Sequence, residues 1–156
     1  MNDSEAISIV SQKYYYGRLG LPKDSQIAFD LCLRATELGN SEACGRAAMY
    51  YNKGEVVPKD MAKEREYLKK AVRLADVHAR HNFGVVEKKK RNYRLASKHF
   101  LIAAAAGYTP SLECVAKLYL IKLVTKKEYS IVLASYGKVL KVEWSIERER
   151  AANATP

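Results

Sequence analysis

The sequence predicts an all-α chain, an α/α solenoid of about four antiparallel helix pairs. Three observations predict it. Two loop signposts recur: Gly17, Pro22, Lys23 and Asp24 are echoed by Gly54, Pro58, Lys59 and Asp60, with the aspartates 36 residues apart. Within each copy, apolar residues return at intervals of three and four, which marks a helix face. No period-two stretch of useful length competes. At 156 residues the chain has the length of one domain and can bury a core without metals or disulfides.

The first copy spans residues 4–39. Asn2 and Glu5 have the spacing of a capping box for its first helix. Asp24 precedes an apolar-periodic run and is an N-cap candidate, because its carboxylate can accept from free backbone N–H groups. Ala28, Leu31, Ala35 and Leu38 form the face of the second helix, which Gly39 ends. The second copy spans 40–75, with Asp60 as cap and Tyr67, Ala71 and Leu74 as the face. Pro22 and Pro58 sit in loops and interrupt no helix.

The third copy, 76–107, lacks the Pro-Lys-Asp loop. Lys88, Lys89, Lys90, Arg91 and Asn92 stand in its place, and Ala96, Phe100 and Ala103 form the next helix face. The fourth copy, 108–141, is degenerate. Thr109 and Pro110 read as an N-cap followed by the first helical position. Tyr119 to Val124 is strand-like in composition but lies within a helical repeat, so most of it is assigned to helix, with a turn near Thr125. Residues 142–156 form a capping helix and a frayed tail: Val139, Leu140, Val142 and Ile146 can cover the end of the stack, and Glu147, Arg148, Glu149 and Arg150 face water.

The small residues allow helices to approach closely, and Tyr14, Tyr51 and Tyr67 fill the space between neighbouring pairs. These linked positions resemble the Sel1-like repeat, a relative of the tetratricopeptide repeat. The first copy keeps Ala6, Tyr14, Gly17, Asp24, Ala28, Arg34, Ala35 and Gly39. The second keeps Ala43, Tyr51, Gly54, Val57, Asp60, Tyr67, Lys70 and Ala71. The third keeps Ala79, Phe83, Gly84, Ala96, Ala103, Ala104 and Gly107. Departures are Glu64 for Ala, Glu87 for Tyr, Ala75 for the closing Gly, and Lys122 for a loop Gly. The resemblance implies a right-handed superhelix, with a concave face built mainly by the first helices. It implies a non-enzymatic scaffold or adaptor that holds a peptide or helix of another protein there. Similar diatom and algal members often carry a zinc-binding RING-type or MYND-type segment before the repeats. Cys32, Cys44 and Cys114 cannot make such a module.

Chemistry in the residues is sparse. No catalytic constellation, cofactor loop or metal set is expected: there is no G-x-S-x-G, no Cys/His pair at recognisable spacing and no phosphate-binding loop. His78 and His81 are three apart, but two ligands do not close a zinc site, and His99 stands alone. Cys32 and Cys44, on adjacent helices, read as buried thiols.

The chain carries 11 Tyr against 3 Phe. Tyr15, Tyr16 and Tyr50 point away from the repeat's core position, so some should be exposed and suit a partner interface. The net charge of +10 is uneven: residues 1–75 hold +2 and residues 76–156 hold +8. The basic patch Lys88, Lys89, Lys90, Arg91, Arg94 and Lys98 is its local peak. It suits an acidic partner segment. Alternatively the basic C-terminal half binds a polyanion, RNA or an anionic membrane. With an acidic, polar start and no apolar run of spanning length, the chain is expected to be intracellular and cytoplasmic.

Overall fold

A computed structural model describes the backbone of residues 3–153 and the side chains of residues 3–147. Among the described residues there are eight α-helices and no strand. They are α1 (Asp3–Tyr16), α2 (Ser25–Glu37), α3 (Ser41–Lys53), α4 (Met61–Arg73), α5 (Val77–Lys89), α6 (Tyr93–Ala105), α7 (Thr109–Leu120) and α8 (Lys126–Asn153). The all-α solenoid of helix pairs is the architecture observed. The chain divides into two compact units, one ending at Phe83 and the other starting at Gly84.

The helix starts follow from their caps. The Asp24 carboxylate accepts from the Ile27 N–H at 2.9 Å. The Asp60 carboxylate accepts from Ala62 and Lys63 at 2.9 and 3.0 Å. Asn40 and Asp76 do the same for α3 and α5, accepting from Ala43 at 2.8 Å and from Ala79 at 2.6 Å. Each satisfies backbone donors that the first turn leaves open. At α8, Thr125 and Glu128 form a reciprocal box: the Glu128 N–H donates to the Thr125 hydroxyl, and the Thr125 N–H donates to the Glu128 carboxylate. The Thr125 hydroxyl also donates to the carboxylate, at 2.7 Å, and with the Thr125 N–H it holds the Glu128 carboxyl below its ordinary range. The capping box expected at Asn2 lies outside the described residues.

Connections come in two kinds. In the first two pairs the loop is long and is closed from Asp to Tyr: Asp24 N–H donates to Tyr14 O at 2.9 Å, and Asp60 N–H to Tyr51 O at 3.0 Å. Gly17 and Gly54 take left-handed backbone at φ 66° and 74°. A Cβ there would come within 3.2 and 3.0 Å of the Lys23 and Lys59 Cβ atoms. The one extra residue of the first loop is absorbed where Leu19 and Gly20 are both left-handed.

All other connections are tight turns with one left-handed residue: Gly39, Ala75, Arg91, Gly107 and Lys122. In each, the next backbone N–H reaches five residues back, as Asn40 to Ala35, Asp76 to Ala71 and Asn92 to Glu87 do at 2.9 to 3.2 Å. The departures Ala75 and Lys122 therefore keep the turn and lose only the glycine. The basic stretch of the third copy is such a turn, not an open loop.

In unit 1 the core lies between the helices of the first two pairs. Ala28, Ala35, Ala43, Ala47 and Ala71 are completely buried, so backbones approach closely, and Phe29, Tyr50 and Tyr51 fill the remaining space. In unit 2, Phe100 is completely buried beside Gly84, where a Cβ would stand 2.7 Å from the ring. Val115, Leu118, Val124 and Val132 complete that core. Glu87 occupies the Tyr position of the third copy and is 1% exposed; the Asn92 side chain donates to it at 3.0 Å.

Three expectations at the C-terminal side are corrected. Tyr108, not Thr109, caps α7, because its carbonyl accepts from Ser111 and Leu112; the Thr109 hydroxyl instead meets the Tyr136 hydroxyl at 2.7 Å. Of Tyr119 to Val124, only Tyr119 and Leu120 are helical. The chain breaks there because Lys122 turns left-handed and Leu123 N–H closes on Leu118 O. The extension is no separate helix. α8 runs unbroken to Asn153, and residues 141–147 are all exposed, so Val142 and Ile146 do not cover the stack. Val139 does make a close contact, with Gly107.

Candidate partner-binding groove on the first helices

The first helices of unit 1 meet through polar atoms. Helix α1 has no apolar stripe; it buries Ser4, Ser8 and Ser11, spaced at four and three residues on one face. Serine is small enough for close approach and carries its own donor and acceptor. The Ser11 hydroxyl donates to Ala28 O at 2.7 Å. Arg46, on α3, donates to Ser8 O at 3.2 Å and also to the Ser8 hydroxyl. Its other nitrogen pairs with Glu42 at 2.7 Å, and Gln12 donates to the same Glu42 oxygen at 2.7 Å. At the far end of the seam, Lys53 donates to the Tyr15 hydroxyl at 3.1 Å. That bond raises the Lys53 ammonium above its ordinary value.

A groove of about 240 Å³ opens along this seam, lined by Ser11, Gln12, Tyr15, Tyr16, Met49 and Tyr50, with Glu42 and Arg46. The three tyrosines named from sequence meet here. Tyr15 sits edge-on to Tyr16 at 4.9 Å and to Tyr50 at 5.9 Å. Their exposures differ. Tyr16 is 57% exposed, Tyr15 is half-buried, and Tyr50 is only 3% exposed. Tyr50 is thus no surface anchor: it is held 5.1 Å from Phe29 on α2, and burial pushes its phenol well above the ordinary value. Arg18 lies over the Tyr16 ring at 4.8 Å.

The serines and Arg46 escaped sequence reading, which looked for apolar periodicity. Their available signal was the four-then-three spacing of Ser4, Ser8 and Ser11. The groove offers aromatic edges, a thioether and charged rims, which suit contact with a polypeptide. Cys32, which interacts with Arg46, is buried and donates to Ala43 O at 3.2 Å. Burial pushes that thiol up to about 11, with Arg46 opposing, so it stays protonated at neutral pH. No group of three His, Cys, Asp or Glu that could hold a metal occurs among the described residues.

The basic patch lies in unit 2. Lys88, Lys89, Lys90, Arg91, Arg94 and Lys98 are all exposed, and the structure brings the first four around the α5–α6 turn. Arg94 and Lys98 follow on α6.

The Sel1 repeat model matches residues 4–40, 41–76 and 79–108, more than half of the chain. The chain belongs to the Sel1 repeat family. The three matched repeats coincide with helix pairs α1–α2, α3–α4 and α5–α6. Sel1 repeat proteins generally mediate protein–protein interaction and are typically non-enzymatic scaffolds. A Sel1 repeat protein from Oxalobacter formigenes superposes with a TM-score of 0.71 at 24% identity, over 75% of this chain and 48% of that one. The protective antigen c5321 of uropathogenic Escherichia coli, an SLR fold, gives 0.76 at 20% identity, over 89% and 30%. The chain therefore spans under half of either Sel1 structure. No curated protein sequence matches it significantly. No helix among the described residues is long and apolar enough to cross a membrane.

Proposed function

We infer that this Sel1 repeat chain is a non-enzymatic adaptor, and that the face of its first helices in unit 1, the side that is concave in such stacks, takes a segment of a partner protein. The supporting observation is the α1–α3 groove: a half-buried Tyr15 and Met49 line it, while Tyr16 stands 57% exposed at its mouth. Amphipathic aromatics fixed by neighbours anchor interfaces well, because little rotamer freedom remains to be lost. Glu42, exposed and paired with Arg46, adds a polar group beside these aromatics.

The test is capture of partners by tagged chain at native level, repeated with Tyr16→Ala. The same proteins should be retained by the parent and lost by the variant, with modest dependence on salt. Capture of nothing above background by the parent would sink this reading.

A further inference from the structure

Unit 2 carries a second surface of different chemistry. The α5–α6 and α7–α8 turns lie on one edge: Lys88 and Tyr93 from the first side and Lys117, Leu118 and Ile121 from the second line a common cleft of about 270 Å³. At the tip of the α7–α8 turn, Leu120 is 78%, Ile121 63% and Leu123 46% exposed. Lys122, between them, is left-handed at φ 62° and turns the chain sharply. Lys117, Lys126 and Lys127 flank it, all exposed, and Lys88 lines the cleft from the other side, followed in the chain by exposed Lys89, Lys90 and Arg91.

Cations outnumber acidic groups at this edge. Glu128 is an exposed carboxylate beside Lys126 and Lys127, held by the Thr125 N–H at 2.8 Å and hydroxyl at 2.7 Å. Glu87 is buried with Asn92, and Glu113 lies about two turns back along α7.

Three consecutive-turn aliphatics held out in water, ringed by cations, restrict what can cover them. RNA would use the cations but has no use for aliphatic side chains; its bases stack on aromatics, and Tyr93 is the only aromatic named at the cleft. An anionic bilayer meets both features, since lipid headgroups pair with ammonium groups while aliphatics enter the acyl boundary.

We propose that this edge docks the chain onto the surface of an anionic phospholipid bilayer, with Leu120, Ile121 and Leu123 entering the headgroup boundary and Lys88 to Arg91, Lys117, Lys122, Lys126 and Lys127 pairing with lipid anions. The site is independent of the α1–α3 groove, so a scaffold could present its partner at a membrane.

Vesicle flotation of the full chain tests it, with phosphatidylcholine alone and with added phosphatidylserine. The chain floats with the anionic vesicles and not with the neutral ones. The variant Lys89→Gln/Lys90→Gln/Arg91→Gln lowers partitioning about a hundredfold, at about fivefold per cation near the surface. Leu120→Ser/Ile121→Ser lowers it about tenfold or more at unchanged net charge. A thermal melt verifies that each variant is folded, and Leu120→Ser alone repeats the test with the least change. Equal binding to neutral vesicles, or no flotation at all, overturns the proposal. So does wild-type flotation by the Leu120→Ser/Ile121→Ser variant, which would leave charge as the whole effect. Tighter retention on single-stranded RNA, indifferent to that variant, overturns it in favour of a nucleic-acid partner.

Discussion

Arg46 reaches from α3 to the Ser8 carbonyl on α1, 3.2 Å away, and so joins the first two repeats through a partly buried polar contact. Ser8 is 1% exposed, and removal of the guanidinium leaves its carbonyl and hydroxyl without that donor. An unsatisfied buried group costs about 1–3 kcal/mol. Arg46→Ala should therefore lower unfolding free energy by about 2 kcal/mol. Ser8→Ala should cost less, and a double-mutant cycle should give a coupling of about 1 kcal/mol. Denaturant titration checks all three.

The left-handed turn positions predict opposite signs for similar substitutions. Ala75 sits at φ 63° and Gly39 at φ 81°, in equivalent turns. Ala75→Gly should stabilise by about 0.5–1 kcal/mol, since a Cβ is penalised in this region by about 1–2 kcal/mol and glycine returns part of that as chain entropy. Gly39→Ala should destabilise by about 1 kcal/mol, although nothing stands within 4 Å of its Cβ site. Shifts in melting temperature of opposite sign are the readout.

Gly84 tests packing. In an exposed helix, Gly→Ala gains about 1 kcal/mol. Here the new Cβ would lie 2.7 Å from the completely buried Phe100 ring. Overpacking costs about 1–3 kcal/mol, so the sign reverses and Gly84→Ala should lose about 1–2 kcal/mol. Phe100→Leu in the same background should recover part of it, measured by thermal melts.

Burial of Cys32 predicts loss of stability in alkali. Its folded value is about 11 against an ordinary 9.0, so the folded state keeps the proton over this window while the unfolded chain releases it. Stability from this thiol is full below pH 9 and is lost as pH rises toward 11. The loss is about 2 kcal/mol at the alkaline end. Tyr50, raised mainly by burial, acts with the same sign at higher pH. Cys32→Ala should flatten the fall of melting temperature between pH 9 and 11.

Much of the fold was legible because repetition exposes it. Asp24 and Asp60 read as caps since each precedes a helical run, and both cap in the structure. The turns at Ala75, Arg91 and Lys122 were harder, because none of these residues advertises positive φ. Tyr50 misled for a local reason. One position from the repeat's core Tyr51, it turns toward α2 and meets Phe29, so both tyrosines are buried. The groove was half legible: tyrosines near helix ends stood out, whereas Ser8, Ser11 and Arg46 build it through hydrogen bonds that apolar periodicity does not register. Leu120, Ile121 and Leu123 lie in a run read mostly as helix, but α7 ends at Leu120 and all three are exposed.

The central claim is that a partner protein is held on the first helices of unit 1. Once a partner segment is identified by capture, titration of that segment against parent and Tyr16→Ala is the most direct test. The account predicts at least about a tenfold weaker Kd for the variant, the loss typical of an interface anchor, with both proteins melting alike. Equal affinity for parent and variant would contradict it.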